Sequence, residues 1–231
     1  MRVDAAASIA YVIESLSDGI EQDLGIHIEI NSGASGALAK QVAQGDGADL
    51  FIGADQVWVD ELVKQNLIDT DTRVDLVANR LVLVGLAPAP GIVPVPAPGS
   101  LADLRRAVYQ PIALGDPAYV PAGRYAVQAL ASHGLERGPN LRLAEAPDVR
   151  AALAFVLSGQ CPVGLVYASD VKDAQGVVVL LAIDPADHDP IRYPAAVVRD
   201  APNRERAERV LNWLQGERAR SAFRDAGFVD P

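Results

Sequence analysis

Short apolar runs alternate with segments of helical periodicity along most of the chain. Residues 3–7 precede an apolar-rich stretch over 9–16, residues 26–30 precede 37–43, and residues 49–52 precede 56–65, where Val57, Leu62 and Val63 share a face. This order predicts α/β units, and strands apolar along their whole length predict sheets covered on both sides. A further strand is expected over 80–86. The stretch 87–98 that follows is dense in Pro, Ala and Gly, which disfavours a regular helix and predicts a surface loop. A helix is expected over 101–107, with Ser100 and Asp103 able to satisfy its first N–H groups.

A second group repeats the rhythm: strand 112–114, helix 122–131, strand 141–143, helix 149–157 and strand 163–166, then strands over 177–183 and 195–198. Two sheets fit this material better than one long sheet. Chain crossings near Leu86 and Ala195 divide it into a discontinuous first lobe, residues 1–83 with 196–231, and a second lobe, residues 84–195, with the two crossovers as the hinge. In the tail over 203–228, Ala207, Val210, Leu211 and Leu214 recur at helical spacing. Arg204, Glu205, Arg206, Glu208 and Arg209 populate the other side, as expected of a packed surface helix.

Composition narrows the function classes. The chain has 231 residues, a formal net charge of -10 and a single cysteine, so a disulfide scaffold is excluded and broad contact with a nucleic-acid backbone is disfavoured. No nucleic-acid partner is expected. Acidity overall leaves room for a local anion site. No exporting segment is visible at the N-terminus, and no apolar run reaches the roughly 20 residues needed to cross a bilayer.

The candidate chemistry lies at strand-to-helix transitions. Ser8 follows the first strand, and the loop Asn31-Ser32-Gly33-Ala34-Ser35-Gly36 follows the second. Hydroxyls there can donate to an anion beside the N–H groups and favourable dipole of a helix start, although a helix cap for Ser8 and a plain turn for the loop explain the same residues. The glycine spacing lacks the lysine or ribose-reading carboxylate of a nucleotide site. His27, His133 and His188 are isolated in sequence, which gives no support to a hydrolase or transferase site, and Asp187-His188-Asp189 is not a complete zinc pattern. Cys161 reads as a buried thiol, with neither a CxxC pair nor a general base in view.

Three later segments weigh in together: Gly115-Asp116-Pro117-Ala118-Tyr119-Val120-Pro121-Ala122-Gly123, Ala146-Pro147-Asp148-Val149-Arg150 and Gly164-Leu165-Val166-Tyr167-Ala168-Ser169-Asp170. With Asp4 to Ser8, Asn31 to Leu38, Ala48 to Asp55 and the final Gly227-Phe228, the chain resembles the periplasmic molybdate-binding proteins of the ModA type over nearly its whole length. That resemblance implies a two-lobed periplasmic-binding-protein fold of type II, each lobe a mixed sheet flanked by helices. It implies a non-catalytic receptor located in the periplasm that binds molybdate or tungstate in an interlobe cleft and delivers it to an ABC permease; closure of the lobes needs no second copy, so a monomer is expected. A receptor for another tetrahedral oxyanion, sulfate or phosphate, is the alternative. The implied ligand contacts are the hydroxyls of Ser8 and Ser35, the backbone N–H groups of Ala122 and Val149, and the phenol of Tyr167. Ser32, Gly36, Asp148 and Arg124 stand around them as support. No cofactor and no direct metal ligand is implied, since molybdenum is held through its oxygens. Gly36 stands where related chains can carry a further serine, and Arg124, as a helical side chain, fits solvent or a nearby carboxylate equally well.

Overall fold

In the computed structural model the first apolar run forms β1 (Arg2–Ala6), followed by α1 (Ala7–Ser15) and α2 (Ser17–Leu24). β2 (Glu29–Gly33) leads into α3 (Ser35–Ala43), β3 (Leu50–Ile52) into α4 (Gln56–Lys64), and β4 (Val74–Ala78) follows. Next come β5 (Leu81–Leu86), β6 (Ile112–Gly115), α5 (Pro121–Ser132), β7 (Leu143–Ala146), α6 (Val149–Leu157), β8 (Val163–Tyr167), α7 (Ala168–Val171) and β9 (Val177–Ala182). The chain closes with β10 (Arg192–Val197), α8 (Arg204–Leu214) and α9 (Glu217–Asp225). The structure describes residues 1–91, 93–136, 138 and 141–231; Ile92, within the expected loop over 87–98, lies outside them.

The chain divides into two units, Met1–Ala78 with Ile191–Pro231, and Asn79–Pro190. Each holds a five-stranded mixed sheet, ordered β2-β1-β3-β10-β4 in the first and β7-β6-β8-β5-β9 in the second. The two orders are the same arrangement. Three parallel strands stand side by side, and the fourth place is taken, antiparallel, by the strand that directly follows a crossing between units: β10 against β3, β5 against β8. Because β5 and β10 each pair along their length within one unit, the division leaves both strands whole. It therefore falls at Ala78/Asn79 and Pro190/Ile191, earlier in sequence than the expected crossings near Leu86 and Ala195.

Both faces of the first sheet are covered. Leu50, Phe51 and Ile52 on β3 are all inaccessible to solvent, so this short strand is buried above and below. On one side α3 and α4 supply Leu38, Ala39, Val42, Val59 and Leu62 against Phe51 and Ala196. Buried Ala207, Val210, Leu211 and Leu214 place the apolar face of α8 inward, as its spacing predicted.

Where sequence and structure differ, the strand in question usually stands at a sheet edge. β2 was expected over 26–30 but runs over Glu29–Gly33, paired in parallel from Arg2↔Glu29 to Ala6↔Gly33. Asn31, Ser32 and Gly33 are therefore strand rather than loop. β7 lies later than its expected 141–143, and β4 had no expected counterpart. Edge strands are held by one backbone ladder and tolerate polar outward side chains, which blurs the apolar alternation that marks a strand. The expected helix over 101–107 is instead two 3-10 turns, Leu101–Arg105 and Ala107–Tyr109. Its cap is present nonetheless, since Asp103 accepts from the N–H groups of Gly99 (2.8 Å) and Ser100 (3.2 Å). α2 was not anticipated either; Asp18, Glu21, Gln22 and Asp23 make it polar, and Gly19 lies in its first turns.

One close approach fixes the start of α5. A Cβ added at Gly123 would come within 1.8 Å of the Gly115 carbonyl oxygen, and one at Gly115 within 2.2 Å of the Val120 side chain. Helix start and strand end touch through backbone, a separation that only glycine allows. Gly123→Ala is expected to lower the urea unfolding midpoint, with a cost of about 1 to 3 kcal/mol or more from overpacking. An unchanged midpoint would show that α5 does not need this contact.

Candidate functional site

Parallel register gathers helix starts on one edge of each sheet. In the first unit Ala6 and Gly33 are register partners at the ends of β1 and β2, and α1 and α3 begin one and two residues later, at Ala7 and Ser35. In the second unit Gly115 and Ala146 are partners at the ends of β6 and β7, and β8 runs parallel beside β6. α5, α6 and α7 therefore rise from that edge. A ligand site at the carboxyl ends of parallel strands is the general expectation for open α/β sheets.

Several of these helix starts share a missing feature. The N-cap residues of α1, α3 and α5 are Ala6, Ala34 and Val120, none of which provides a side-chain cap, and no acidic residue occupies the first turn of any of the three. Alanine and valine are among the poorest N-caps, and the first four N–H groups of a helix have no partner within it. By contrast α4, which follows β3 from the same edge as α1 and α3, is capped in the ordinary way: Asp55 accepts from the Trp58 N–H at 3.3 Å.

Ser8 is the second residue of α1 and is 2 % exposed; its Oγ lies 2.8 Å from the Tyr193 hydroxyl. It is thus not the helix cap that its position allowed. Ser35 opens α3, fully buried, and its Oγ accepts from the Ala54 N–H at 3.0 Å. That bond uses an acceptor lone pair and leaves the single hydroxyl proton to donate. Ser32 is an exposed residue on β2, beside Ala5 in register, while Gly36 is buried in the first turn of α3.

In the second unit Ala122, fully buried, follows Pro121 at the start of α5, where the missing proline N–H costs nothing. Asp116 shapes the turn before it: its carbonyl accepts from Val120 (2.7 Å) and Tyr119 (3.1 Å), and its carboxylate from the Ala118 N–H (2.9 Å). Val149, 3 % exposed, opens α6 after Asp148, whose carboxylate accepts from the Ala151 N–H at 2.8 Å. Asp148 is thereby occupied with the third residue of the helix, and the Val149 N–H belongs to the same turn. Tyr167, 1 % exposed, precedes α7, and its N–H donates to Asp170 at 3.3 Å. Arg124 is half-buried on α5, one residue beyond Gly123.

Asp170 links the starts of α6 and α7 through Arg150 and the Tyr167 N–H. Burial pushes its pKa from 3.8 up to about 7, against the opposing pull of Arg150. Arg150 reaches it at 3.5 Å, but that side chain is 46 % exposed, so solvent screens the attraction while the carboxylate bears the full desolvation cost. The Arg150 Nη1 also donates to the Asp170 carbonyl at 3.3 Å, which ties the start of α6 to α7.

The residues that could suggest catalysis are otherwise employed. Asp187 bonds His133 Nε2 (2.9 Å) and Ser132 Oγ (3.0 Å), and this hydrogen bonding holds its carboxyl below the usual range. Asp189 instead pairs with Gln128, so the Asp-His-Asp run does not converge. No cluster of three or more His, Cys, Asp or Glu that could hold a metal occurs among the described residues, and none of their helices is long and apolar enough to cross a membrane. Cys161 is buried, and desolvation raises its thiol pKa.

The structure also brings in residues that sequence reasoning missed. Tyr193 meets Ser8 from 185 positions away, and Ala54 supplies the N–H that orients Ser35. Neither carries a local signal, because both contacts are made by strands or turns that only the sheet brings alongside.

The class defined by this fold is confirmed by comparison: a family model described as bacterial extracellular solute-binding protein matches residues 1–229. The chain is 35% identical to the molybdate-binding protein ModA of Escherichia coli, over 98% of this chain and 88% of that protein. Among solved structures it is similar to the substrate-binding domain of a putative molybdenum ABC transporter from Clostridium difficile, with 32% identity, a TM-score of 0.74 and coverage of 100% and 98% of the two chains. The periplasmic molybdate-binding protein of Azotobacter vinelandii shares the fold at a TM-score of 0.86, with 23% identity and coverage of 100% and 99%. The chain thus belongs to the bacterial extracellular solute-binding proteins, and among them to the family of the ModA molybdate-binding proteins.

The raised Asp170 pKa carries a pH dependence. The folded state binds this proton more tightly than the unfolded chain, so the penalty of the buried charge is fully present above about pH 7 and is relieved as pH falls toward 3.8. Asp170→Asn keeps an acceptor for the Tyr167 N–H and removes the charge. Its melting temperature is expected to exceed the parent's near pH 8, with the gap closing by about pH 5. A gap that is constant across this range would show that Asp170 does not titrate there.

Proposed function

We propose that the protein is a non-catalytic, monomeric receptor for molybdate or tungstate, located in the periplasm and delivering its ligand to an ABC permease. The observation that carries this reading is the set of helix starts on each sheet edge that lack side-chain caps, flanked by the buried hydroxyls of Ser8 and Ser35, in a chain 35% identical to a ModA protein. The transporter partner and the location are supported by the extracellular character of the family, the ABC transporter to which the Clostridium difficile domain is assigned and the periplasmic location of the Azotobacter vinelandii protein.

In this reading the oxyanion takes the hydroxyls of Ser8 and Ser35, the N–H groups of Ala122 and Val149 and the phenol of Tyr167 as its donors. Directional neutral donors surround the oxygens without a lysine, which suits a chain of net charge -10. Helix dipoles add attraction for the dianion, and exclusion of water on binding strengthens each bond. Asp148 is held by its bond to the Ala151 N–H, and burial raises the Asp170 pKa to about 7, which lowers its average negative charge near neutral pH. Ser32, Gly36 and Arg124 act as support around this set.

Size provides the discrimination, since sulfate carries the same charge on shorter bonds. Calorimetric titration of ligand-free protein is expected to show tight binding of molybdate and tungstate and much weaker binding of sulfate. Ser35→Ala is expected to weaken molybdate binding by about 1 to 3 kcal/mol, by leaving a buried oxygen of the ligand unsatisfied. Folded protein that binds neither group-six oxyanion, or binds sulfate equally well, would overturn the reading.

A further inference from the structure

Building on the oxyanion reading above, we propose that Tyr193 is a positioning residue that locks Ser8 as a hydrogen-bond donor and so selects fully deprotonated oxyanions over those that still carry a proton.

Tyr193 is fully buried, and its hydroxyl lies 2.8 Å from the Ser8 Oγ. Its place is held from two directions. The ring meets Phe228 edge-on at 5.3 Å and 89°, and Phe228 meets Phe223 at 6.0 Å and 76°. The backbone is irregular at the same point: the pairing of β10 with β4 shifts register between Tyr193 and Pro194, and the Pro194 carbonyl accepts from the Gly53 N–H at 2.9 Å. A proline inside a strand belongs at such a bulge, and bulges re-aim the neighbouring side chain.

Each hydroxyl owns one proton and can also accept. In a pair formed by a phenol and an aliphatic alcohol, the phenol is the stronger acid and the better donor. With Tyr193 donating, the Ser8 Oγ is the acceptor of that bond and its own proton points elsewhere. Ser35 reaches the same state by another route, since the Ala54 N–H at 3.0 Å can only donate to it. Two serines and the backbone N–H groups of the helix starts then present protons alone. Such donors match bare oxygens, and a ligand proton that meets any of them leaves a polar group unsatisfied; of the proposed contacts only the Tyr167 phenol is left able to turn and accept. Phosphate near neutral pH carries at least one proton, whereas molybdate, tungstate and sulfate carry none. Of the two serines only Ser8 has a partner that a small substitution can remove, which makes Tyr193 the point where this preference can be altered.

The test is Tyr193→Phe, checked for folding by thermal melting and titrated with molybdate and sulfate near neutral pH, with phosphate affinity read as displacement of bound molybdate. Molybdate and sulfate affinities are expected to fall in parallel, by about ten-fold, as Ser8 loses its orientation. Phosphate is expected to fall less, because the released Ser8 can turn and accept its proton, so the preference for molybdate over phosphate narrows. Ser8→Ala is expected to narrow it too, and Tyr193→Phe added to Ser8→Ala to narrow it no further. Equal weakening of all three anions is the mark of a merely structural role and overturns the inference, as does an unchanged preference. If the Tyr193 variant fails to fold, an unchanged preference in Ser8→Ala overturns it in the same way. Parent protein that binds none of the anions overturns the oxyanion reading itself, and this inference with it.

Discussion

Parallel strand register is the constraint on which the rest of the structure depends. Because β1 and β2 run side by side with Ala6 opposite Gly33, and β6 and β7 with Gly115 opposite Ala146, every helix that follows them starts from the same sheet edge. Helix starts carry unpaired N–H groups, so the topology alone concentrates positive potential at those edges. At three of these starts the chain places Ala6, Ala34 and Val120 where a capping side chain would ordinarily stand. In the proposed reading a ligand's oxygens take over the capping role at these positions, which offsets the cost in helix stability.

The two units apply the same plan with different means. In the first unit buried hydroxyls stand at the helix starts, each oriented by a partner: Tyr193 for Ser8, Ala54 for Ser35. In the second, bare backbone is brought close by glycine. The 1.8 Å that would separate a Gly123 Cβ from the Gly115 oxygen measures how tightly α5 is seated against the end of β6. Both devices aim donors without adding formal charge. In the proposed receptor, selectivity among anions of equal charge depends on spacing and on the direction of protons, which a cluster of lysines cannot encode.

Much of this was legible along the chain. The apolar runs of β1, β3, β5, β6, β8 and β9 stand out because these strands are buried or uninterrupted by charge, and the alternation of two sheets with helices followed from them. The edge strands β2 and β7 were misplaced and β4 was missed: each is only four or five residues long, and Glu29 and Asn31, Asp75, and Glu145 interrupt their apolar runs. The serines at positions 8 and 35 were visible as candidates, yet their neighbours could not say whether each was a cap, a turn residue or a donor. The short polar helix α2 had no strong apolar stripe to announce it.

The sequence by itself determined the α/β rhythm and the absence of a disulfide framework, because periodicity and composition are local quantities, and the resemblance carried by its ordered motifs pointed to the family. Only the tertiary structure decided that Ser8 faces Tyr193 rather than capping its helix, that Ser35 accepts from Ala54, and that Asp170 is buried deeply enough for desolvation to outweigh Arg150. Those facts join residues up to 185 positions apart, or depend on how much water the fold removes, and no stretch of chain records either.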